Sequence, residues 1–238
     1  MKSVRALGAL AVVTLAGTFV LGLGLPATYE QRTYSRMIAL HPPIAWTAYL
    51  AFGVTALASM LYLWPRTRRL RFDAIAAASA ELGVLFTGLT LITGSLWGRP
   101  TWGVWWTWDA RLTTTALMFV IYLGYLAQRG VADTTAQRAK RSAIIAVMAV
   151  IVVPINHMSV EWWRTLHQGR SLASLDPGSE LDGDFIAAML LGFVAMTLTY
   201  AWLLIVRVKV MEAEAHVEED ALTDAIEARR REAEVVLP

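Results

Sequence analysis

The chain predicts an all-α, polytopic membrane protein with six transmembrane helices and both termini in the cytoplasm. Three observations carry that reading. The sequence is 56% hydrophobic and only 17% charged, against roughly a quarter charged in soluble domains. It contains six apolar runs, each near the roughly 20 residues that cross about 30 Å of hydrocarbon. Lys and Arg are concentrated in alternate connections, the bias that orients helices in a bilayer. Helices are expected because lipid cannot satisfy open backbone groups.

The first run, about 6–25, follows Lys2 and Arg5. Its apolar stretch is longer than the roughly 7–15 residues of a signal core, and no Ala-x-Ala site follows, so it reads as a retained helix. The second and third runs, 44–64 and 74–96, are apolar almost throughout. Glu81 sits about a third of the way into the third. An acid at that depth is costly and faces the protein interior; pairing or protonation accounts for it, and a place on a ligand's path is the alternative. The fourth run, 110–128, is the shortest and borrows from the aromatic segment before it. The fifth and sixth are 142–160 and 185–206. Residues 1–206 thus form one membrane domain and 207–238 a charged cytoplasmic tail. Residues 211–234, rich in Glu, Ala and Arg, read as a solvated helix, with partner docking as the other possibility.

Orientation follows from the loops. Segment 65–73 carries Arg66, Arg68, Arg69 and Arg71, and segment 129–141 carries Arg129, Arg138, Lys140 and Arg141. The tail adds Arg207, Lys209 and Arg229 to Arg231. The intervening loops, about 26–43, 97–109 and 161–184, are poorer in cations and lie outside. The last ends in an acidic stretch, Asp176 to Asp184, that reads as solvated.

Several functions are excluded or disfavoured. A net charge of +2 is too small to suggest nucleic acid, and its distribution serves topology. With no cysteine, neither a disulfide nor Cys-x-x-Cys-His for thioether-linked haem is possible. No phosphate-cradling Gly-x-x-x-x-Gly-Lys-Ser/Thr appears, so ATP hydrolysis would need another subunit. No repeat of about 20–50 residues is visible.

The most unusual segment is 97–112, Trp-Gly-Arg-Pro-Thr-Trp-Gly-Val-Trp-Trp-Thr-Trp-Asp-Ala-Arg-Leu. It holds Trp97, Trp102, Trp105, Trp106 and Trp108, half of the chain's ten tryptophans. Its glycines and Pro100 argue against one smooth helix. Indole offers a flat apolar face and one donor, and Arg a planar cation. The set suits a flat apolar ligand with negative charge at its rim. An interfacial aromatic belt explains Trp46, Trp64 and Trp202, but not five tryptophans interleaved with Gly, Pro, Arg and Asp. Asp109 and Arg111 also suit a helix cap and ion pair.

Of the four histidines, His216 lies in the tail and reads as solvated. His41, followed by Pro42 and Pro43, stands at the outer mouth of the second helix. His157, in Pro154-Ile155-Asn156-His157-Met158, stands near the outer end of the fifth. No His-x-x-x-His cluster for a single metal ion exists. Haem needs one or two axial ligands, a flat apolar bed and partners for its propionates. His41 and His157 supply axial nitrogens. Trp102, Trp105, Trp106 and Trp108 line an edge or face, and Arg111 and Arg99 meet the propionates.

The motif Trp97-Gly-x-Pro-x-Trp-Gly-x-Trp-Trp-x-Trp-Asp-x-Arg-Leu-Thr113 resembles the tryptophan-rich (WWD) signature of haem-handling proteins. Its Arg-Leu-Thr ending is similar to that of the cytochrome c maturation protein C family (haem exporter protein C, CcmC). The likeness extends to His41-Pro-Pro-Ile-Ala-Trp46 and His157-Met-Ser-Val-Glu-Trp-Trp-Arg-Thr-Leu-His-Gln-Gly169, and covers most of 1–206. It implies a non-enzymatic subunit in the bacterial inner membrane that binds haem b non-covalently and delivers it to a periplasmic haem chaperone during c-type cytochrome biogenesis. It implies His41 and His157 as axial ligands, and the segment from Trp97 through Asp109 to Arg111 as haem platform and docking surface. The implied partners are an ATP-binding subunit, a second membrane subunit and a small single-span subunit of an ABC-type complex. His167 matches a family position, but a continuous helix would put it about three turns from His157, so it is not taken as the axial ligand. The rival readings are an electron-transfer haem protein, which places its histidines at membrane depth, and a permease subunit for another substrate.

Overall fold

The structure is a computed structural model that describes residues 2–28, 31, 33–131, 134–167 and 183–236. Much of the acidic stretch beginning at Asp176, with Arg32 and Arg170, lies outside the described residues. Six helical segments are long and apolar enough to cross a membrane, and there is no β-strand among the described residues. The chain is a multi-pass membrane protein.

Helix α1 (Lys2–Gly24) packs along α7 (Gly183–Val236). Small residues let the two approach: a Cβ on Gly8 would lie 2.7 Å from the Trp202 Nε1. The rest of α1 is exposed, with Val12, Val13, Val20 and Leu23 facing outward, as a lipid-facing helix requires. A short 3-10 helix, Thr33–Ala39, leads into α2 (His41–Leu63). It is held by Arg36, whose Nε donates to the Leu25 carbonyl at 2.9 Å. Its Ile38 and Ala39 are buried with Leu25, Phe185, Ala188 and Met189.

The centre is a ring of α2, α3 (Leu70–Trp102), α4 (Ala110–Arg129) and α5 (Thr135–Ala149). Alanines 48, 51, 56, 76, 77, 78 and 80 are buried, which brings α2 and α3 close, as small residues do where lipid provides no hydrophobic drive. The Phe52 ring fills the space that a Cβ on Gly83 would need, and stacks on Tyr122 at 3.6 Å. Ser79 Oγ donates to the Ala51 carbonyl at 2.7 Å and is hydrogen-bonded to Tyr200 at 2.6 Å, joining α2, α3 and α7.

Three features differ from the sequence expectation. Helix α3 does not stop at 96 but continues through Gly98 and Pro100 to Trp102. Pro100 withholds one backbone donor, yet the last turn closes on Gly103, whose φ of +80° forms the cap and whose N–H reaches the Arg99 carbonyl at 3.0 Å. Only 103–109 of the expected 97–109 loop is non-helical. The fifth crossing is two helices, α5 and α6 (Val152–Trp162), broken at 150–151. Pro154 has no N–H for the Val150 carbonyl, which is taken by Val153 at 3.0 Å. Finally, α7 runs unbroken past 206 into the tail, where residues 213–231 are exposed.

Glu81 is paired: Arg207 on α7 donates to both its oxygens, at 2.6 and 3.1 Å. A second ion pair, Asp73 with Arg129, is bidentate at 2.7 and 2.8 Å and more deeply buried. Both lie toward the end of the bundle where α3 begins. The candidate site lies at the opposite end, where α3 and α6 finish and α2 and α4 start.

Candidate functional site

At that end a cavity of about 370 Å³ opens between α2, α3, α4 and α6, within the range of small-molecule and cofactor sites. His41, His157, His167, Trp102, Trp106 and Arg111 all line it. Among the described residues no three His, Asp or Glu side chains cluster as a metal-ion site.

His41 is the best-defined of the three imidazoles. Pro42 and Pro43 follow it in the first turn of α2, where their missing N–H groups cost nothing. Its Nδ1 lies 2.9 Å from the Thr93 hydroxyl. The same hydroxyl lies 2.7 Å from the Leu89 carbonyl; when it donates there it accepts from the ring, with the proton on Nδ1 and the lone pair on Nε2. Orientation of a ligating imidazole through its other nitrogen is the usual device of metal sites. Trp97 stands edge-on to the ring at 5.7 Å, and Gly94 leaves room for it, since a Cβ there would meet His41 Cε1 at 3.0 Å.

His157 is exposed and edge-on to Tyr49 at 6.2 Å. Its neighbour Asn156 is 1% exposed. The Asn156 Nδ2 faces the Arg111 carbonyl at 3.1 Å and the hydroxyls of Thr114 and Thr115 at 2.7 and 2.9 Å. The Tyr49 hydroxyl donates to its Oδ1. Arg111 Nη1 donates to the carbonyls of Asn156 and His157 at 2.9 and 3.1 Å, with its guanidinium 6.0 Å above Tyr49.

The expected Asp109–Arg111 ion pair does not form, because Arg111 turns to these carbonyls. Asp109 does cap α4, accepting from Leu112 N at 2.8 Å. Its other oxygen accepts from the Thr165 hydroxyl at 2.5 Å and Leu166 N at 3.2 Å. This tether holds the segment that leads to His167. Helix α6 ends at Trp162 and Trp163 is extended, so the chain folds back instead of carrying His167 further up a helix. The imidazole of His167 sits 6.2 Å from Trp102. His41, His167, Trp97 and Trp102 also line a smaller adjoining cavity of about 50 Å³.

The five tryptophans divide. Trp102 and Trp106 line the main cavity. Trp97 packs against the Leu25–Phe185 cluster, and its Nε1 donates to Gln31 at 3.1 Å. Trp105 and Trp108 are 56% and 82% exposed and do not line the cavity, although Trp108 lies edge-on to Trp106 at 5.5 Å. The Trp106 Nε1 is buried and has no hydrogen-bond partner among the described residues, as is also true of the Tyr122 and Tyr125 hydroxyls in the core. Arg99 is exposed and donates to the Gly103 carbonyl, closing the α3 cap. Asn156, Tyr49 and Thr93 were not singled out from sequence. A buried polar residue inside an apolar span was the one signal available for Asn156.

Fold and site together define an all-α, six-span membrane protein with a cavity at one end walled by imidazole, indole and one guanidinium. A family model for heme exporter protein C matches residues 1–223. The protein named "Heme exporter protein C" of Haemophilus influenzae is 39% identical over 199 residues, 83% of this chain and 80% of that protein. Its namesake in Bradyrhizobium diazoefficiens is 37% identical over 195 residues, 79% and 73% of the two chains. That of Escherichia coli K12 is 38% identical over 170 residues, 70% and 68%. The chain belongs to the heme exporter protein C family.

Proposed function

We propose that the chain binds haem b non-covalently at the outer face of the bacterial inner membrane and delivers it to a periplasmic haem chaperone for c-type cytochrome assembly. It does so as a non-enzymatic subunit of an ABC-type complex, beside an ATP-binding subunit, a second membrane subunit and a small single-span subunit. Residues 1–206 form the haem-handling domain, and 207–238 a cytoplasmic appendage. The observation that carries the reading is the placement of His41: its Nδ1 is held by the Thr93 hydroxyl at 2.9 Å, and its ring lines an aromatic cavity that also carries Arg111. An imidazole is a common protein ligand of haem iron, and charge-assisted donors suit propionates.

His157 is the proposed second axial ligand, since its ring lines the same cavity. His167 is a second reading, favoured by the smaller cavity that it shares with His41 and not with His157. Trp102 and Trp106 form the bed, with Trp97 behind His41. Exposed Trp105 and Trp108, beside Asp109, form the docking surface for the chaperone. Bis-imidazole ligation holds iron firmly, so release needs driving, which the ATP-linked partner supplies.

The test is purification of His41→Ala, His157→Ala and His167→Ala proteins, scored by Soret absorbance and by transfer to the chaperone. Loss of bound haem in His41→Ala and in one of the other two is expected, and identifies the axial partner. Wild-type haem in His41→Ala would overturn the reading.

A further inference from the structure

The Thr165 hydroxyl bonds in two directions. It donates to the Asp109 Oδ2 at 2.5 Å and accepts from the backbone N–H of His167 at 3.0 Å. One oxygen therefore joins the cap of α4 to the backbone of a residue whose imidazole lines the cavity. The Asp109 carboxylate is itself fixed, because its other oxygen accepts from Leu112 N at 2.8 Å in the first turn of α4. It also takes Leu166 N at 3.2 Å. Apolar burial contributes little to holding this segment. After α6 ends at Trp162, residues 163–167 are non-helical, and Trp162, Trp163 and Leu166 are 56%, 52% and 54% exposed. Hydrogen bonds to an ionised acceptor are the strong ones, and here they fall on the two residues just before His167.

His41 and His167 both lie along the last turns of α3. His41 is against Gly94 and edge-on to Trp97, and His167 is 6.2 Å from Trp102. The two imidazoles share the main cavity and also the smaller one beside it, which His157 does not line. His41 opens one helix and His157 sits inside another, so helical hydrogen bonds place their backbones. His167 has no such frame. An axial nitrogen must keep its position to within about 0.5 Å, and contacts that orient a ligand commonly change metal affinity about 10–100-fold. We propose that Thr165 is a positioning residue: anchored on Asp109, it holds the His167 imidazole in the cavity as the axial partner of His41. This rests on the haem-binding reading above, in its His41–His167 pairing, and adds the device that places a ligand carried outside any helix.

The full chain is purified in detergent as wild type, Thr165→Val, Thr165→Ser, Asp109→Asn and His167→Ala, and titrated with ferric haem. Soret and electron paramagnetic resonance spectra report the iron's spin state, which is low with two axial imidazoles and high when one is lost. Thr165→Val keeps the volume and deletes the hydroxyl, so both of its bonds go. It should bind haem about tenfold more weakly or worse, with a high-spin signal that added imidazole converts back to low spin. Asp109→Asn keeps an oxygen for the α4 cap but puts a donor where Oδ2 accepts, and should shift the spin state the same way. Thr165→Ser retains the hydroxyl and should match the wild type. A merely structural role would lower the melting temperature of Thr165→Val and leave spin state and affinity alone. That result, or a Thr165→Ser protein that behaves like Thr165→Val, would overturn the proposal. His167→Ala separates the two claims. If it turns high-spin while Thr165→Val stays low-spin, His167 is the ligand and the tether does not position it. If it stays low-spin, the His41–His167 pairing itself has failed, and the positioning role falls with it.

Discussion

Arg111 and Asn156 clasp each other reciprocally. The Arg111 guanidinium donates to the Asn156 carbonyl at 2.9 Å, and the Asn156 amide donates back to the Arg111 carbonyl at 3.1 Å. The clasp locks the first turn of α4 to the middle of α6, next to His157. It also fixes Arg111 at the cavity wall, where among the described residues it has no acidic partner. Asn156→Leu keeps the volume but leaves Thr114, Thr115 and Tyr49 without this partner. The loss should be about 1–3 kcal/mol of stability. A lower melting temperature in detergent together with a lost Soret band is expected. Full stability with normal haem content would show the clasp to be incidental.

Gly94 sets how close α3 comes to His41. A Cβ there would press on His41 Cε1 at 3.0 Å, and a larger side chain would turn the ring from Thr93 and disturb its tautomer. Gly94→Leu should leave helical circular dichroism intact and weaken haem binding at least about tenfold, or 1.4 kcal/mol. Gly124, whose Cβ would meet nothing within 4 Å, is the matched control, and Gly124→Leu should bind haem like the wild type.

The spans were legible because a membrane crossing is a local property: about 20 apolar residues announce themselves without reference to the rest of the fold. The Asp109 cap follows from an equally local rule; that Glu81 needs a partner was legible too, but not that the partner is Arg207, 126 positions on. What stayed hidden depends on contacts distant in sequence. Nothing near Thr165 says that it binds Asp109, 56 positions earlier, in the segment that brings His167 to the cavity. Pro100 reads as a breaker, yet so near a helix end the missing donor is cheap and Gly103 supplies the stop. Trp105 and Trp106 are adjacent and chemically identical, but one is exposed and the other lines the cavity. Only the path of the 103–109 loop decides which.

The two ion pairs at the far end should differ in weight. Asp73 and Arg129 retain 7% and 14% of their side-chain exposure, against 34% and 33% for Glu81 and Arg207. Breaking a buried pair strands a charge, so Asp73→Asn should cost about 3 kcal/mol or more, while Glu81→Gln should cost about 1 kcal/mol or less. The double variant Asp73→Leu/Arg129→Leu removes both charges and should recover most of the loss. Chemical unfolding in mixed micelles measures all three. A double variant as unstable as Asp73→Asn alone would mean that the pair contributes more than mutual neutralisation.

Exposed and buried tryptophans of the same segment should separate haem binding from haem transfer. Trp105→Ala and Trp108→Ala remove side chains that face away from the cavity. They should leave bound haem unchanged and weaken chaperone association by about 2 kcal/mol each, roughly 30-fold, as interface tryptophans do. Trp106→Phe tests the opposite case. It keeps most of the aromatic wall and deletes the Nε1–H that has no partner among the described residues. If that donor serves only the chain, losing an unsatisfied buried group should raise stability at no cost in haem. If it serves the ligand, the apoprotein gains stability while haem affinity falls about tenfold, because a donor buried for the ligand alone contributes only when the ligand is present. Thermal unfolding with and without haem distinguishes the two: the stabilisation conferred by haem should shrink in Trp106→Phe and persist in Trp105→Ala and Trp108→Ala.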